Sequence, residues 1–166
     1  MCMRIIGIDP GLALAGFGII EGTAQTMKPV HYGVLSTPST MPLSERLACL
    51  YEGMIALLDT YQPSEIAVEE LFFNRNVTTA FTVGQARGVF LLAAEQRGLK
   101  YYQYTPAQVK LAATGYGKAD KAQIQQMVKV LLNLPAIPKP DDTADALAIA
   151  ICHMQTSGWR SLTKQV

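Results

Sequence analysis

Two acidic residues interrupt apolar stretches that are typical of buried strands. Asp9 ends the run over 4–8, and Glu69 follows the run over 66–68. An ionised carboxylate at the end of a buried strand needs a partner or a metal ion. Ligands of open α/β sheets collect at the carboxyl ends of the strands, so we expect both side chains near that edge. Either acid alone is as compatible with a salt bridge or a turn hydrogen bond, but the two together favour a shared site.

A second group of acids lies at the start of the last predicted helix. Asp141 follows a proline and is a good N-cap, and acids in a first turn also interact favourably with the helix dipole. Asp142 and Asp145 are three residues apart, so a helix places both on one side. If that turn meets the strand ends, four carboxylates converge. The alternative is that these acids only cap the helix.

Converging carboxylates repel one another strongly unless divalent cations occupy the site. Oxygen-only ligands suit Mg²⁺ or Mn²⁺ rather than zinc. Two such ions about 4 Å apart activate a water molecule and stabilise the leaving oxygen of a phosphodiester. The sequence therefore predicts a two-metal phosphodiester hydrolase. Its predicted catalytic and metal-binding residues are Asp9, Glu69, Asp142 and Asp145.

The remaining pattern predicts the elements that would position these acids. β-Branched or apolar runs between turns indicate strands, and apolar residues spaced three and four apart indicate helices. We predict strands over 4–9, 16–21 and 30–37, a helix over 44–61, a strand over 65–73, a helix over 78–97, a strand over 100–104, and helices over 106–113, 118–132 and 143–154. This order predicts an α/β fold with a five-stranded mixed sheet, an antiparallel three-strand meander plus parallel strands, flanked by helices. We expect one domain over 1–155 and a polar, flexible tail over 156–166.

Composition excludes several classes of protein. Of the 166 residues, 49% are hydrophobic and 16% are charged, which is too apolar for a disordered chain. No unbroken apolar run approaches the roughly 20 residues of a membrane helix, and we see no signal-peptide pattern. The three cysteines are scattered, which disfavours a zinc site or a disulfide framework. We therefore expect a cytoplasmic protein with no membrane partner.

Charge is divided along the chain. Residues 1–70 carry three basic groups against eight acidic ones, and residues 97–139 carry seven basic groups against one acidic one. Solvated helix faces would explain either block by itself. Together the blocks also suit a protein that holds metal ions in one part and phosphates in another.

Four motifs carry a resemblance to a known family. They are Ile-Gly-Ile-Asp-Pro-Gly at residues 6–11, Ala-Val-Glu at 67–69, Val-Gly-Gln-Ala-Arg-Gly-Val at 83–89 and Asp-Thr-Ala-Asp-Ala-Leu-Ala at 142–148. In this order they resemble the motifs of the RuvC Holliday junction resolvases, from residue 4 to about residue 153. The first motif also resembles those of actin-like ATPases, but the helix motif and the final acid pair are specific.

The resemblance implies an RNase H-like fold and a crossover junction endodeoxyribonuclease acting in recombination and DNA repair. It implies a homodimer that binds a four-way DNA junction and makes paired symmetric nicks. With two metal ions and in-line attack by water, we expect 5′-phosphate and 3′-hydroxyl ends. The same four acids match the family's catalytic metal ligands, which implies two Mg²⁺ ions per active site, with Mn²⁺ as a substitute. The resemblance also implies a partnership with the RuvA and RuvB branch-migration complex.

Five residues are candidates for contact with DNA. Phe72, Lys110 and Lys121 fall where the family has an aromatic residue near the junction centre and basic residues close to DNA. Phe72 could stack on an unpaired base with Arg75 on a phosphate, although Phe72 could also finish the strand as a core residue. Lys118 lies in a glycine-containing turn that could present it to a phosphate.

Two points stay open from the sequence. Glu70 stands where many relatives have an amide, so either of the adjacent acids could face the metals, although strand alternation allows only one to do so. The competing functions are another RNase H-like nuclease acting on structured RNA and a non-catalytic protein that binds branched DNA.

Overall fold

Five strands form one mixed sheet in the order β3-β2-β1-β4-β5. The computed structural model describes residues 2–71 and 76–157. The strands are β1 (Met3–Asp9), β2 (Leu14–Gly22), β3 (Met27–Ser36), β4 (Glu65–Glu69) and β5 (Lys100–Tyr104). Strands β1 to β3 are an antiparallel meander, and β4 runs parallel to both β1 and β5. The predicted mixed sheet is confirmed.

Five helices among the described residues cover the two faces of the sheet. They are α1 (Leu43–Tyr61), α2 (Val77–Gln96), α3 (Pro106–Thr114), α4 (Lys121–Leu131) and α5 (Asp141–Thr156). Buried residues of α1 and α2 form one core layer, and those of α3, α4 and α5 form the other. Helix α5 extends to Thr156, one residue into the predicted tail, and residues 158–166 of that tail lie outside the described residues.

Several predicted boundaries differ from those of the structure: β3 begins at Met27 rather than residue 30, and α4 spans Lys121–Leu131 rather than 118–132. Two further differences affect the acids. The strand predicted over 65–73 ends at Glu69. Its last hydrogen bond to β5 runs from the backbone N–H of Glu70 to the carbonyl oxygen of Tyr104. Strand β5 cannot continue beyond this point, because the next residue, Thr105, is the N-cap of α3. Asp141 is not the N-cap of α5: Pro140 occupies that position and Asp141 is the first helical residue. Its carboxylate is therefore available for contacts with neighbouring elements.

Strand alternation decides which face of the sheet carries the acids. Ile5 and Ala67 pack in the layer under α5, whereas Ile6 belongs to the layer under α1 and α2. Successive side chains of a strand point to opposite faces. Asp9 is four residues after Ile5 and Glu69 is two after Ala67, so both acids lie on the face that α5 covers.

Two glycines allow α5 to lie directly on the meander. Gly16 is the register partner of Asp9, and a Cβ at Gly16 would collide with the carbonyl oxygen of Asp142. A Cβ at Gly7 would likewise collide with the carbonyl oxygen of Ala146. The missing side chains therefore let the first turns of α5 sit against the strands, with Asp142 beside Asp9.

Candidate active site

Asp9 is the centre of the acidic site. Its partly buried carboxyl group ends β1, and its pKa rises from 3.8 to about 8. Burial is the largest cause, followed by the charges of Asp145, Asp142 and Glu69, while Lys121 opposes the rise. A carboxyl group with these neighbours is strongly disfavoured as an anion unless positive charge is placed next to it.

The other acids show the same mutual repulsion. Burial raises the pKa of Glu69, and the charge of Asp145 raises it further. Burial also raises the pKa of Asp145, with Asp142 adding to the rise and Lys121 opposing it. The structure thus brings the four sequence-predicted acids together at the carboxyl edge of β1 and β4. Their role in catalysis stays a prediction.

Lys121 enters this acidic site from the first turn of α4. Its Nζ lies 3.2 Å from Oδ2 of Asp141 and 3.7 Å from Oδ2 of Asp145. Asp141 also accepts hydrogen bonds from Nε2 of Gln125 (3.1 Å) and Nζ of Lys139 (3.3 Å). The bond from Lys121, and then that from Lys139, lowers the pKa of Asp141. Asp141 therefore holds Lys121 at the site, a role that the sequence did not reveal because its partners come from distant positions.

The predicted DNA contacts have different positions. Lys110 and Lys121 line a cavity of about 250 Å³ together with Glu69 and Asp145, so two basic groups face the acids. Lys118 is exposed in the turn between α3 and α4. The remaining two predicted contacts, Phe72 and Arg75, lie outside the described residues.

The donor set fits a hard divalent cation. All the candidate ligands are carboxylate oxygens, and burial together with the charges of neighbouring acids raises the pKa values of Asp9, Glu69 and Asp145. Over residues 2–71 and 76–157, no three acidic, histidine or cysteine side chains stand close enough to hold one ion as they are. Carboxylates that repel one another spread apart, and cations between them would draw them together. The residue types and their convergence therefore suit Mg²⁺ or Mn²⁺.

Comparison with known proteins identifies the family. A family model described as "Crossover junction endodeoxyribonuclease RuvC" matches residues 5–153. The chain belongs to the RuvC family. The chain is therefore an endodeoxyribonuclease. Membership of this family does not support the two competing functions, a nuclease for structured RNA and a non-catalytic binder of branched DNA.

Relatives cover almost the whole chain. RuvC of Brevibacillus brevis is 56% identical over 164 residues, 99% of both chains, and RuvC of Desulfitobacterium hafniense is 62% identical over 151 residues, 91% of this chain and 92% of its own. The solved structure of "T. thermophilus RuvC in complex with Holliday junction substrate" is 36% identical, covers 99% of each chain and superposes with a TM-score of 0.93. The predicted RNase H-like fold is confirmed.

Stability measurements can test the electrostatic strain at Asp9. Because its pKa is about 8 in the folded protein and near 3.8 in the unfolded chain, ionising it opposes folding as pH rises between these values. In EDTA, Asp9→Asn should leave the free energy of unfolding nearly unchanged near pH 4 and raise it by up to about 5 kcal/mol at pH 8. Urea unfolding across this range measures the difference.

Asp59→Asn is a control in which the pKa of the replaced carboxyl group is shifted in the opposite direction. Asp59 accepts hydrogen bonds from Arg97, which lowers its pKa, so this variant should lose a little stability at neutral pH and none in acid. Equal pH dependence for Asp9→Asn and the wild type would contradict the raised pKa.

Proposed function

We propose that this chain resolves four-way DNA junctions by paired, symmetric phosphodiester hydrolysis that leaves 5′-phosphate and 3′-hydroxyl ends. The observation that carries the proposal is the convergence of Asp9, Glu69, Asp142 and Asp145 on one sheet edge in a member of the RuvC family. The solved relative bound to a Holliday junction substrate supports the choice of substrate.

The four acids would hold two Mg²⁺ ions per site, with Mn²⁺ as a substitute. The charges of all three other acids raise the pKa of Asp9, so Asp9 would be the central ligand of the set. Glu69 is chosen over Glu70 because Glu69 lies on the α5 face of the sheet, while Glu70 follows the end of β4 and is exposed. When bound, the ions supply an activated water and stabilise negative charge on the leaving oxygen.

Lys110 and Lys121 provide positive charge beside the acids. Both line the cavity that contains Glu69 and Asp145, so a backbone phosphate that enters it meets two ammonium groups. Lys121 pairs with Asp141 and Asp145 in the structure, and it can pair with the phosphate once cations neutralise the acids. Lys118, exposed in the turn before α4, is a further candidate phosphate contact. Phe72 and Arg75 remain candidates on sequence grounds alone.

A second copy of the chain would supply the second nick. The outward face of α2 is apolar: Val77, Phe81 and Leu92 are 76%, 67% and 52% exposed, and Gly84 and Gly88 lie between them at helical spacing. A Cβ built on either glycine meets nothing within 4 Å, so the middle of this face is flat and open. We call these five residues the α2 stripe. A flat apolar face of this kind suits close packing against a symmetry-related helix.

Helix α2 is also long and apolar enough to cross a membrane, but core helices of other proteins meet the same two criteria. Its other side packs in the core through Ala86, Phe90, Ala93 and Ala94, which favours a protein partner for the stripe. From the family resemblance we also propose that the protein is located in the bacterial cytoplasm and acts with the RuvA and RuvB complex.

Cleavage of a defined junction tests the proposed reaction. The purified protein is incubated with an end-labelled mobile four-way junction, a linear duplex of the same sequence and a structured RNA, each in EDTA, Mg²⁺ or Mn²⁺. We expect paired nicks on the junction only, and only with metal. Asp9→Asn should bind the junction in a mobility-shift assay but give no detectable cleavage, because the central ligand is lost.

Asp59→Asn is the control for this experiment. Asp59 pairs with Arg97 and is not one of the four acids, so this variant should cleave at the wild-type rate. Wild-type cleavage by Asp9→Asn would refute the assignment of the site. Junction binding without cleavage under every metal would instead point to a non-catalytic protein.

Sedimentation of α2 variants tests the dimer. Phe81→Glu would bury a charge in the helix–helix contact, so the dissociation constant of the dimer should rise at least about tenfold, which needs only about 1.4 kcal/mol. Val130→Glu alters an exposed apolar residue on α4 (58% exposed) and should leave the dimer intact. Equal dissociation constants for both variants would exclude the α2 stripe as the dimer interface. Association of the wild type with lipid vesicles would instead favour a membrane as the partner of the stripe.

A further inference from the structure

A chain of hydrogen-bonded polar side chains crosses the core layer under α5, away from the acids. Nε2 of His153 lies 2.7 Å from Oε2 of Glu65, and Nδ1 of His153 lies 2.5 Å from the hydroxyl of Tyr104. The hydroxyl of Thr156 lies 3.0 Å from the same phenol oxygen. His153, Tyr104 and Glu65 are all buried. Nothing in the proposed chemistry uses this group.

The protons of this chain can be assigned from its partners. Burial raises the pKa of Tyr104 to about 12, so the phenol keeps its proton and can donate it to Nδ1 of His153. The Nε2–H of His153 is then available to donate to the Glu65 carboxylate. The hydroxyl of Thr156 donates to the phenol oxygen or to the backbone carbonyl of Cys152, which is 2.8 Å away. Both ring nitrogens of the imidazole are satisfied in this arrangement.

These side chains belong to the same elements as the acids. Glu65 precedes Glu69 by four residues on β4 and shares its face, and Tyr104 is the register partner of Glu69 on β5. His153 follows Asp145 by eight residues on α5, a distance of about 12 Å along the helix axis. The imidazole therefore links α5 to β4 and β5 about two helical turns away from Asp145.

Apolar packing makes up much of the remaining contact between α5 and the sheet. Ala146 and Ala150 of α5 pack against Gly7 of β1, and Leu147 lies over Gly18 of β2. Apolar contacts of this kind are not directional. Directional hydrogen bonds fix a single relative position, because each donor must meet its acceptor. Replacing a buried polar pair by apolar residues is often neutral or favourable for stability, so stability alone gives little reason for burying Glu65 and His153.

We propose that His153, Glu65 and Tyr104 are positioning residues that fix α5 against β4, and so set the separation of Asp145 from Glu69 at which divalent cations bind. This inference rests on the proposed function, since it takes those acids as metal ligands.

The test removes one hydroxyl and measures metal binding without DNA. Tyr104→Phe keeps the ring and deletes the proton that His153 accepts. We expect Mn²⁺ affinity, measured by titration calorimetry, to fall about threefold to tenfold, somewhat less than a group bonded directly to a ligand would cause. The Mg²⁺ concentration for half-maximal junction cleavage should rise by the same factor, while junction affinity in EDTA stays unchanged.

Tyr101→Phe is the matched control. Tyr101 is also buried on β5 but faces the α1 and α2 layer, where its neighbour is Arg87 and not His153. This variant should bind Mn²⁺ within about twofold of the wild type, a margin below the effect expected of an indirect metal-site contact.

Glu65→Gln acts on the other side of the imidazole and keeps an oxygen acceptor. It should weaken Mn²⁺ binding in the same direction, and the double variant with Tyr104→Phe should lose less than the product of the two single effects, because both act through His153. Unchanged Mn²⁺ affinity in Tyr104→Phe and Glu65→Gln, with only a lower melting temperature, would overturn the positioning role. A wild type that neither binds Mn²⁺ nor cleaves would overturn the proposed function, and this inference with it.

Discussion

The contact of the first turns of α5 with the meander is the constraint on which the site depends. Gly16 and Gly7 have no side chain where the backbone carbonyls of Asp142 and Ala146 approach, so the helix reaches the strands themselves. That approach brings acids from the end of the chain to Asp9, which lies near its beginning. Any side chain at Gly16 would push Asp142 away from Asp9 and open the site.

The same contact creates an electrostatic cost. Burial and mutual repulsion raise the pKa of Asp9 to about 8, and the pKa values of Glu69 and Asp145 also rise. Lys121, held by Asp141, provides only part of the missing positive charge. The fold therefore keeps a set of oxygen ligands in a state that cations would relieve, and buried hydrogen bonds through His153 fix the helix that carries two of them.

Much of this arrangement could be predicted from the sequence. Asp9 and Glu69 were recognisable because each ends an apolar run, and the element order predicted the mixed sheet. The tertiary partners could not be predicted: Asp141 looked like an N-cap, but it binds Lys121 and Gln125, 20 and 16 residues away. The choice between Glu69 and Glu70 required the register of β4, and the partners of His153 required the packing of α5 on β4 and β5.

Anomalous diffraction from Mn²⁺-soaked crystals of the wild type tests the central claim most directly, because it locates the cations without any assumption about mechanism. We expect two peaks at the edge of β1 and β4, each within about 2.5 Å of carboxylate oxygens, with Asp9 contacting both. Lys121 should have moved away from Asp145. Peaks elsewhere, or ions bound to Asp141 and not to Asp9, would contradict the account.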